Sequence, residues 1–494
     1  MGSSGAGKTT LLNALTFRSG CGVIASGVMA ANGRRVSSTI LTSRTAYVQQ
    51  DDLFVGTLTV KEHLLFQAMV RMDRKIPMEQ RFDRVHQVIN ELALTKCKNT
   101  VIGQPGRIKG LSGGEMKRLS FASEVLTDPP LMFCDEPTSG LDSFMAHQVV
   151  SVLKTLADLS KGRTVLCTIH QPSSDIFSSF DRIILIAEGR VAFSGRIDQA
   201  VEFFASQGYE CPRKYNPADF LIAIVATGSK NKDGEQVAHK ICDIFSNSKA
   251  SNEIDRILER QSSISSLTYS IRTNYFLRLF WLIYRHFLQV LRDPSVQIIR
   301  IFQKVSVATI GGLCFMGAVN FDQLGIQAAQ GVIFILVSEN AFFPMYATLA
   351  LIPQELPLLR REYRAGMYPI YLYYIARIFS LIPGLIIEPL LFTAILYWLA
   401  GLRDNIETFG FTLLVLLLTI NVSTAVYILG CFFSTAFESV PLAMAYLIPF
   451  DYILMITMGP FLKLGSLPVY IQWVKYISWL LHSTEALTIL QWNN

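Results

Sequence analysis

The chain has 494 residues, 51% hydrophobic and 17% charged, so it is richer in apolar groups than a soluble protein and has room for two or three domains. Its net charge of +6 is modest, and the basic residues are either spread out or gathered beside apolar runs, which argues against nucleic-acid binding. Eight scattered cysteines without a C-x-x-C pair argue against a disulfide framework or a zinc site and fit reduced thiols in a cytosolic domain.

The first ten residues, MGSSGAGKTT, fill the pattern G-x-x-x-x-G-K-[ST] with Gly2, Gly7, Lys8 and Thr9. In such a loop the backbone NH groups, here from Gly2, Ser3, Gly5 and Ala6 through Thr10, close around phosphate oxygens. Lys8 reaches the β and γ phosphates and Thr9 ligates magnesium. The apolar spacing of TLLNALTF predicts a helix whose positive N-terminus faces those phosphates. Nucleoside triphosphate binding is the expectation. A strand normally presents such a loop, and only Met1 precedes Gly2, so the sequence is expected to be part of a longer protein.

Residues 1–226 read as an α/β domain. Short apolar runs in TAYVQQ, PLMFCDEP and RTVLCTIHQP predict buried parallel strands, separated by helices near 79–94 and 143–159. IILIAEGRVAFSG, residues 183–195, predicts a hairpin turning at Glu188 and Gly189. Residues 227–270 are polar and read as a linker with a short helix near 238–246. Residues 271–293 predict an amphipathic helix. Phe276, Leu279, Phe280, Ile283, Phe287 and Leu291 share one face, with Arg278, Arg285 and Arg292 on another, which suits a headgroup layer better than a protein core.

Residues 294–494 read as a membrane domain with five spans, near 298–319, 326–351, 373–400, 409–433 and 440–462. Arg285, Arg292, Arg300 and Lys304 flank or open the first span, and Arg360, Arg361, Arg364 and Arg377 lie between the second and third. These cations place those flanks, and the soluble domain with them, in the cytoplasm. The connectors 321–325 and 401–406 then face the other side, and aromatic-rich residues 468–492 read as a re-entrant or interfacial helix there.

Three further motifs follow the phosphate loop in order: LSGGE at 111–115, an apolar run ending in Asp135 and Glu136, and His170 after a strand. With these in place the sequence resembles the ABC transporter family over essentially its whole length. A nucleotide domain ahead of the membrane domain, with NPADF at 216–220, resembles the ABCG, or White, subfamily of half-transporters. The resemblance implies an α/β P-loop nucleotide-binding domain followed by an all-α transmembrane domain, with ATP and Mg2+ as cofactors.

It also implies the roles of individual residues. Asp135 and Thr9 hold magnesium, Glu136 orients and polarises the attacking water, and Gln50 senses the metal. His170 contacts the γ-phosphate, and Asp142 sits at a dimer interface. Ser112, Gly113 and Gly114 reach the nucleotide bound to a second such domain, so a second ABCG half-transporter is the implied partner, in a heterodimer or a homodimer. White-type members move pterin or tryptophan-derived pigment precursors, and a lipid or sterol cargo is the second reading within the subfamily. An inactive shortened form that regulates partner subunits is a third. The adenine-stacking aromatic, the first strands and a sixth span of the family pattern fall outside this sequence.

Polar residues within the spans need partners or water. Glu339 and Phe342, one helical turn apart, read in two ways. They grip a flat polar cargo by stacking and hydrogen bonding, or Glu339 is a buried, protonated acid that bonds a neighbouring helix. Glu388 and Asp451 read as helix-packing groups, with Asp451, near mid-span, also the weaker candidate for a cavity contact.

Overall fold

The computed structural model describes all residues except 20–22, 28, 32–33, 37, 39–40, 42–43, 105, 107, 158–162, 227–231, 249, 253, 255, 257–273, 321, 437–439, 461–472, 474–475, 477 and 493–494. The chain forms two units. One comprises Met1–Trp281 with Arg361–Tyr373, the other Leu282–Arg360 with Tyr374–Asn494.

The first unit is built on three parallel strands, Thr45–Val48, Leu131–Cys134 and Thr164–Cys167, with Leu131–Cys134 in the middle. They are the expected runs TAYV, LMFC and TVLC, apolar enough to be covered by helices on both faces. Val48 pairs with Cys134 and Cys134 with Cys167, so the strands end in one row. The phosphate loop opens the helix Lys8–Leu15, and the helices expected near 79–94 and 143–159 run over Met78–Glu91 and Ser143–Leu156. Helix Val60–Arg71 starts on a capping box between Thr59 and Glu62.

The hairpin pairs Arg182–Ala187 with Arg190–Arg196 and turns where expected, with Glu188 and Gly189 both at positive φ. Its inner face packs with the helices Ile197–Ser206, Pro217–Ala226 and Lys232–Ser246 around Phe193, Phe204, Leu221 and Phe245. The helix near 238–246 is therefore longer than its polar composition suggests. Ala238, Ile241, Cys242 and Phe245 form an apolar stripe at helical spacing that is buried on the hairpin. The rest of the linker, 227–231 and most of 249–270, lies outside the described residues.

Helix Tyr275–Arg292 has the predicted two faces, but their exposure is not the simple solvent pattern. Phe276, Phe280 and Leu291 are exposed, whereas Arg278 and Arg285 are buried. An exposed apolar face beside buried cations suits a lipid-facing helix better than a water-facing one.

In the second unit, four helices among the described residues are long and apolar enough to cross a membrane: Pro294–Phe315, Gln323–Arg364, Ile370–Leu399 and Ile406–Ala436. The fifth expected span is corrected to a shorter helix, Val440–Ile456, of 17 residues. The second helix does not stop near 351 but continues to Arg364, and in this polar continuation Glu355 accepts from Arg377 at 2.9 Å.

The core of this unit gathers Val332, Leu336, Phe392, Leu396, Tyr397 and Leu416. Gly312 lets the first helix lie directly on Leu399, whose Cβ would be 2.6 Å from any side chain added there. Within the expected re-entrant segment, Trp479–Trp492 is a 14-residue helix packed on Ile406–Ala436 through Thr419 with Ser483 at 2.7 Å and Trp479 with Ser423 at 3.0 Å. Most of 468–478 lies outside the described residues.

Candidate functional site

The C-terminal edge of a parallel sheet is where its side chains are free to meet a ligand. Here that edge gathers residues from three strands and from the phosphate loop. Asp135 follows the middle strand and donates its NH to Val48 O at 2.9 Å, and Thr168 follows the third and donates to Cys134 O at 2.9 Å. Asp135 and Thr168 are thereby neighbours in one row. Thr168 Oγ1 donates to Asp135 Oδ1 at 2.7 Å and accepts from the NH of Glu136 at 2.8 Å. Thr9 Oγ1 donates to the same Asp135 oxygen at 3.1 Å. The second Asp135 oxygen faces Tyr47 OH at 3.4 Å, which also donates to Asn13 at 3.0 Å.

Glu136 stands in the left-handed region, with φ 43, which turns its side chain out of the strand direction. Its carboxylate accepts from Gln50 Nε2 at 2.9 Å. Gln50 is in turn held from behind, since Lys117 donates to its carbonyl at 2.6 Å and pairs with Asp52 at 3.1 Å. Lys117 lies on Gly113–Val125, the helix that begins in the LSGGE motif.

The phosphate loop turns through Gly5 and Gly7, both at positive φ, before the helix begins at Lys8. Gly2 and Ser3 accept from Lys8 Nζ at 3.1 and 2.8 Å, so the buried ammonium is held at the mouth of the loop. Burial lowers the pKa of Lys8, opposed by the negative charges of Glu136 and Asp135. Tyr47 is pushed up by burial and by Asp135, so it stays a neutral donor.

The expected residues fall into two groups. Lys8, Thr9, Asp135, Glu136 and Gln50 converge, joined by the bonds above. Ser112 and Asp142 instead cap neighbouring helices on an exposed surface. Ser112 shares a capping box with Glu115, and Asp142 accepts from the NH of Met145 at 2.8 Å. His170 is exposed two residues beyond Thr168, without a hydrogen bond to a described residue. Thr168 and Tyr47 join the site without belonging to any of the motifs. Their signal is positional, because each lies a step or two from the strand end that carries His170 or Gln50.

In the second unit Glu339 Oε2 accepts from Lys304 Nζ at 2.9 Å, and the same ammonium donates to Glu339 O at 2.8 Å. Glu339 thus contacts a neighbouring helix through an ion pair with Lys304. Phe342 packs against the core of this unit. Asp451 accepts from Tyr346 OH, as expected for a packing group. Glu388 does not fit that expectation, since it has no hydrogen-bond or ion-pair partner among the described residues and lines a cavity.

Residues 1–139 match the family described as ABC transporter, and 278–492 and 170–245 match families described as ABC-2 type transporter. The chain is 46% identical to Protein scarlet of Drosophila melanogaster, over 100% of this chain and 75% of that protein. It is 45% identical to Protein white of the same fly, over 100% and 72%. With ABC transporter G family member 14 of Arabidopsis thaliana it shares 33% identity over 100% and 76%. The chain thus belongs to the ABC transporter G family: it is a membrane half-transporter of the scarlet and white type whose ATP-binding domain hydrolyses ATP to drive transport.

Proposed function

We propose that the chain pumps small aromatic heterocycles of the pigment-precursor kind, such as pterins, guanine or tryptophan derivatives, as one half of a heterodimer with a second ABCG half-transporter. The observation that carries the ATP site is the convergence of Thr9 and Thr168 on one oxygen of Asp135 beside a Glu136–Gln50 pair. Similarity to scarlet and white at 46% and 45% identity supports the cargo class.

The donors at this point suit magnesium. Thr9 Oγ1 and Asp135 Oδ1 are hard oxygens with a single carboxylate, and among the described residues no group of three His, Cys, Asp or Glu gathers anywhere. Mg2+ is commonly held in this way, by one or two carboxylates with phosphates and water completing the shell. When bound, the ion neutralises charge on the β and γ phosphates. Lys8 adds its positive charge at the loop mouth, and the loop NH groups of Gly2, Ser3, Gly5, Ala6, Gly7 and Thr10 cradle the phosphates. Glu136 orients the attacking water, with Gln50 releasing its carboxylate as the nucleotide seats. His170, exposed at the sheet edge, meets the γ-phosphate.

Ser112, Gly113 and Asp142 are exposed, with Gly114 buried directly behind them, which supports use of this surface by the nucleotide of the partner domain. ATP then joins two domains and its hydrolysis releases them. Basic flanks of the spans support a cytoplasmic ATPase domain.

The test is ATP-dependent uptake of labelled guanine, a pterin and a tryptophan derivative into vesicles carrying the full-length protein, alone and with other ABCG half-transporters. Uptake that requires a partner and vanishes in Lys8→Ala is expected. ATPase activity with no uptake under any pairing would transfer the cargo to lipids.

A further inference from the structure

The second unit holds a cavity of about 260 Å3 between the end of helix Tyr275–Arg292, the first turns of Pro294–Phe315 and the middle of Ile370–Leu399. Pro383 and Gly384 adjoin it, at a point where proline removes a helical hydrogen bond and glycine removes a side chain. The inner wall is apolar, with Phe343 and Leu381, and the rim carries Leu291 and Ile387, which remain exposed.

Two opposite charges face this space. Arg300 and Lys304 are one turn apart, but Lys304 is taken by Glu339 whereas Arg300 makes no hydrogen bond or ion pair with a described residue. Glu388 is likewise without such a partner, although Arg300 is near enough to act on it electrostatically. A side chain at Gly384 would begin 3.8 Å from Glu388 Oε1 and 3.9 Å from the side-chain oxygen of Gln297. Two acceptors thus approach one point left open by the glycine, with a guanidinium in the same cavity.

A half-buried cation and a half-buried anion that do not pair with each other leave two charges without a partner among the described residues, open to a ligand that carries both signs. We propose that this cavity binds the headgroup of a phospholipid bearing a primary ammonium, its phosphate on Arg300 and its ammonium between Glu388 and Gln297. The volume supports a headgroup over a whole cargo molecule, since pockets that enclose drug-sized ligands run to about 300–1,000 Å3. The exposed Leu291 and Ile387 continue the wall outward for acyl chains. The primary ammonium is specified because Glu388 and Gln297 need N–H donors, which a trimethylammonium lacks. The site does not depend on the cargo proposed above.

The experiment is native mass spectrometry of the full chain extracted from vesicles of equal parts phosphatidylethanolamine, phosphatidylcholine and phosphatidylglycerol. ATP binding is checked in every variant as a sign of folding. Phosphatidylethanolamine is expected to be retained over phosphatidylcholine by roughly tenfold, the scale of one hydrogen bond to a charged group. Glu388→Gln should bring that ratio close to one, and Arg300→Gln should lower retention of all three lipids by roughly tenfold. Gly384→Val, which leaves both charges in place but fills the gap, should abolish the preference. Equal retention of the three lipids by the parent chain overturns the proposal, as does a preference that survives all three substitutions. Displacement of the lipid on adding a partner half-transporter would make the cavity a subunit contact and also overturn it.

Discussion

Gln50 donates to Glu136 at 2.9 Å, so the carboxylate proposed to direct water is held by the residue proposed to sense the metal. The hold is an exposed, single hydrogen bond, worth about 1.5–3 kcal/mol at most for a charged acceptor. Such a bond is weak enough to exchange when phosphates and metal enter. Glu136→Gln keeps the shape and loses the charge. It is expected to bind ATP like the parent while turnover falls by about 100-fold or more, the scale for removing one group that acts in the transition state. Nucleotide binding and phosphate release measured on the same preparation check this, and unchanged release would remove Glu136 from the role.

Thr168 ties the two acidic residues together, donating to Asp135 at 2.7 Å and accepting from the NH of Glu136 at 2.8 Å. Thr168→Val keeps the volume and deletes both bonds, leaving Asp135 Oδ1 with Thr9 alone and the NH of Glu136 without its acceptor. The expected cost is about 1–3 kcal/mol at the site. ATPase activity should fall and its requirement for magnesium should shift upward, while Thr168→Ser restores both. A magnesium titration of ATPase activity in the two variants separates this from a general loss of fold.

The main features of the proposed ATP site are legible in the sequence because its chemistry is written in short runs. Lys8, Thr9, Asp135 and Glu136 are each placed by a motif, and the apolar runs before Gln50, Asp135 and His170 form the three strands. Thr168 and Tyr47 escape such a reading because they act only through lateral register. Nothing in TVLCTIH says that its second threonine will stand beside Asp135 until Cys134 is paired with Cys167. The membrane half is legible in length and not in partnership. Its apolar runs mark the helices, but the pairing of Lys304 with Glu339 and the placement of Glu388 at a cavity depend on how helices rotate about their axes, which uniform apolar composition leaves open.

Glu124 offers a test by pH. It lies at the end of helix Gly113–Val125 and is gripped by Arg71 through two bonds of 2.9 and 2.7 Å. Burial raises its pKa, but the charge and hydrogen bonds of Arg71, then Arg18 and Arg361, outweigh burial and hold it below the ordinary 4.5. A carboxylate with a depressed folded-state pKa stabilises the fold fully above its unfolded value. That contribution is lost as pH falls through 4.5 and on through the folded-state value. The ATPase unit is therefore expected to lose thermal stability on acidification more steeply in the parent than in Glu124→Gln. Parallel melting curves for the two chains from neutral pH downward would show that Glu124 contributes nothing to the dependence.

Lys304 and Glu339 give the last prediction. The lysine is buried, donates to the Glu339 carboxylate and carbonyl at 2.9 and 2.8 Å, and lies 4.5 Å from the ring centre of Phe343. A cation so placed is tolerable in a membrane helix only while its partner is present. Glu339 keeps 35% of its side chain exposed, so removing one member costs less than the about 3–5 kcal/mol of a fully buried pair, whereas removing both is often close to neutral. Lys304→Met or Glu339→Gln alone should thus reduce the amount of assembled protein, and the two together should restore it. Fluorescence-detected size exclusion of the single and double variants reads this coupling directly. Transport in the restored double variant then decides what Glu339 does beyond packing. Uptake equal to the parent leaves the carboxylate as half of an ion pair, and uptake lost in a well-assembled protein assigns it, with Phe342 one turn away, to the cargo.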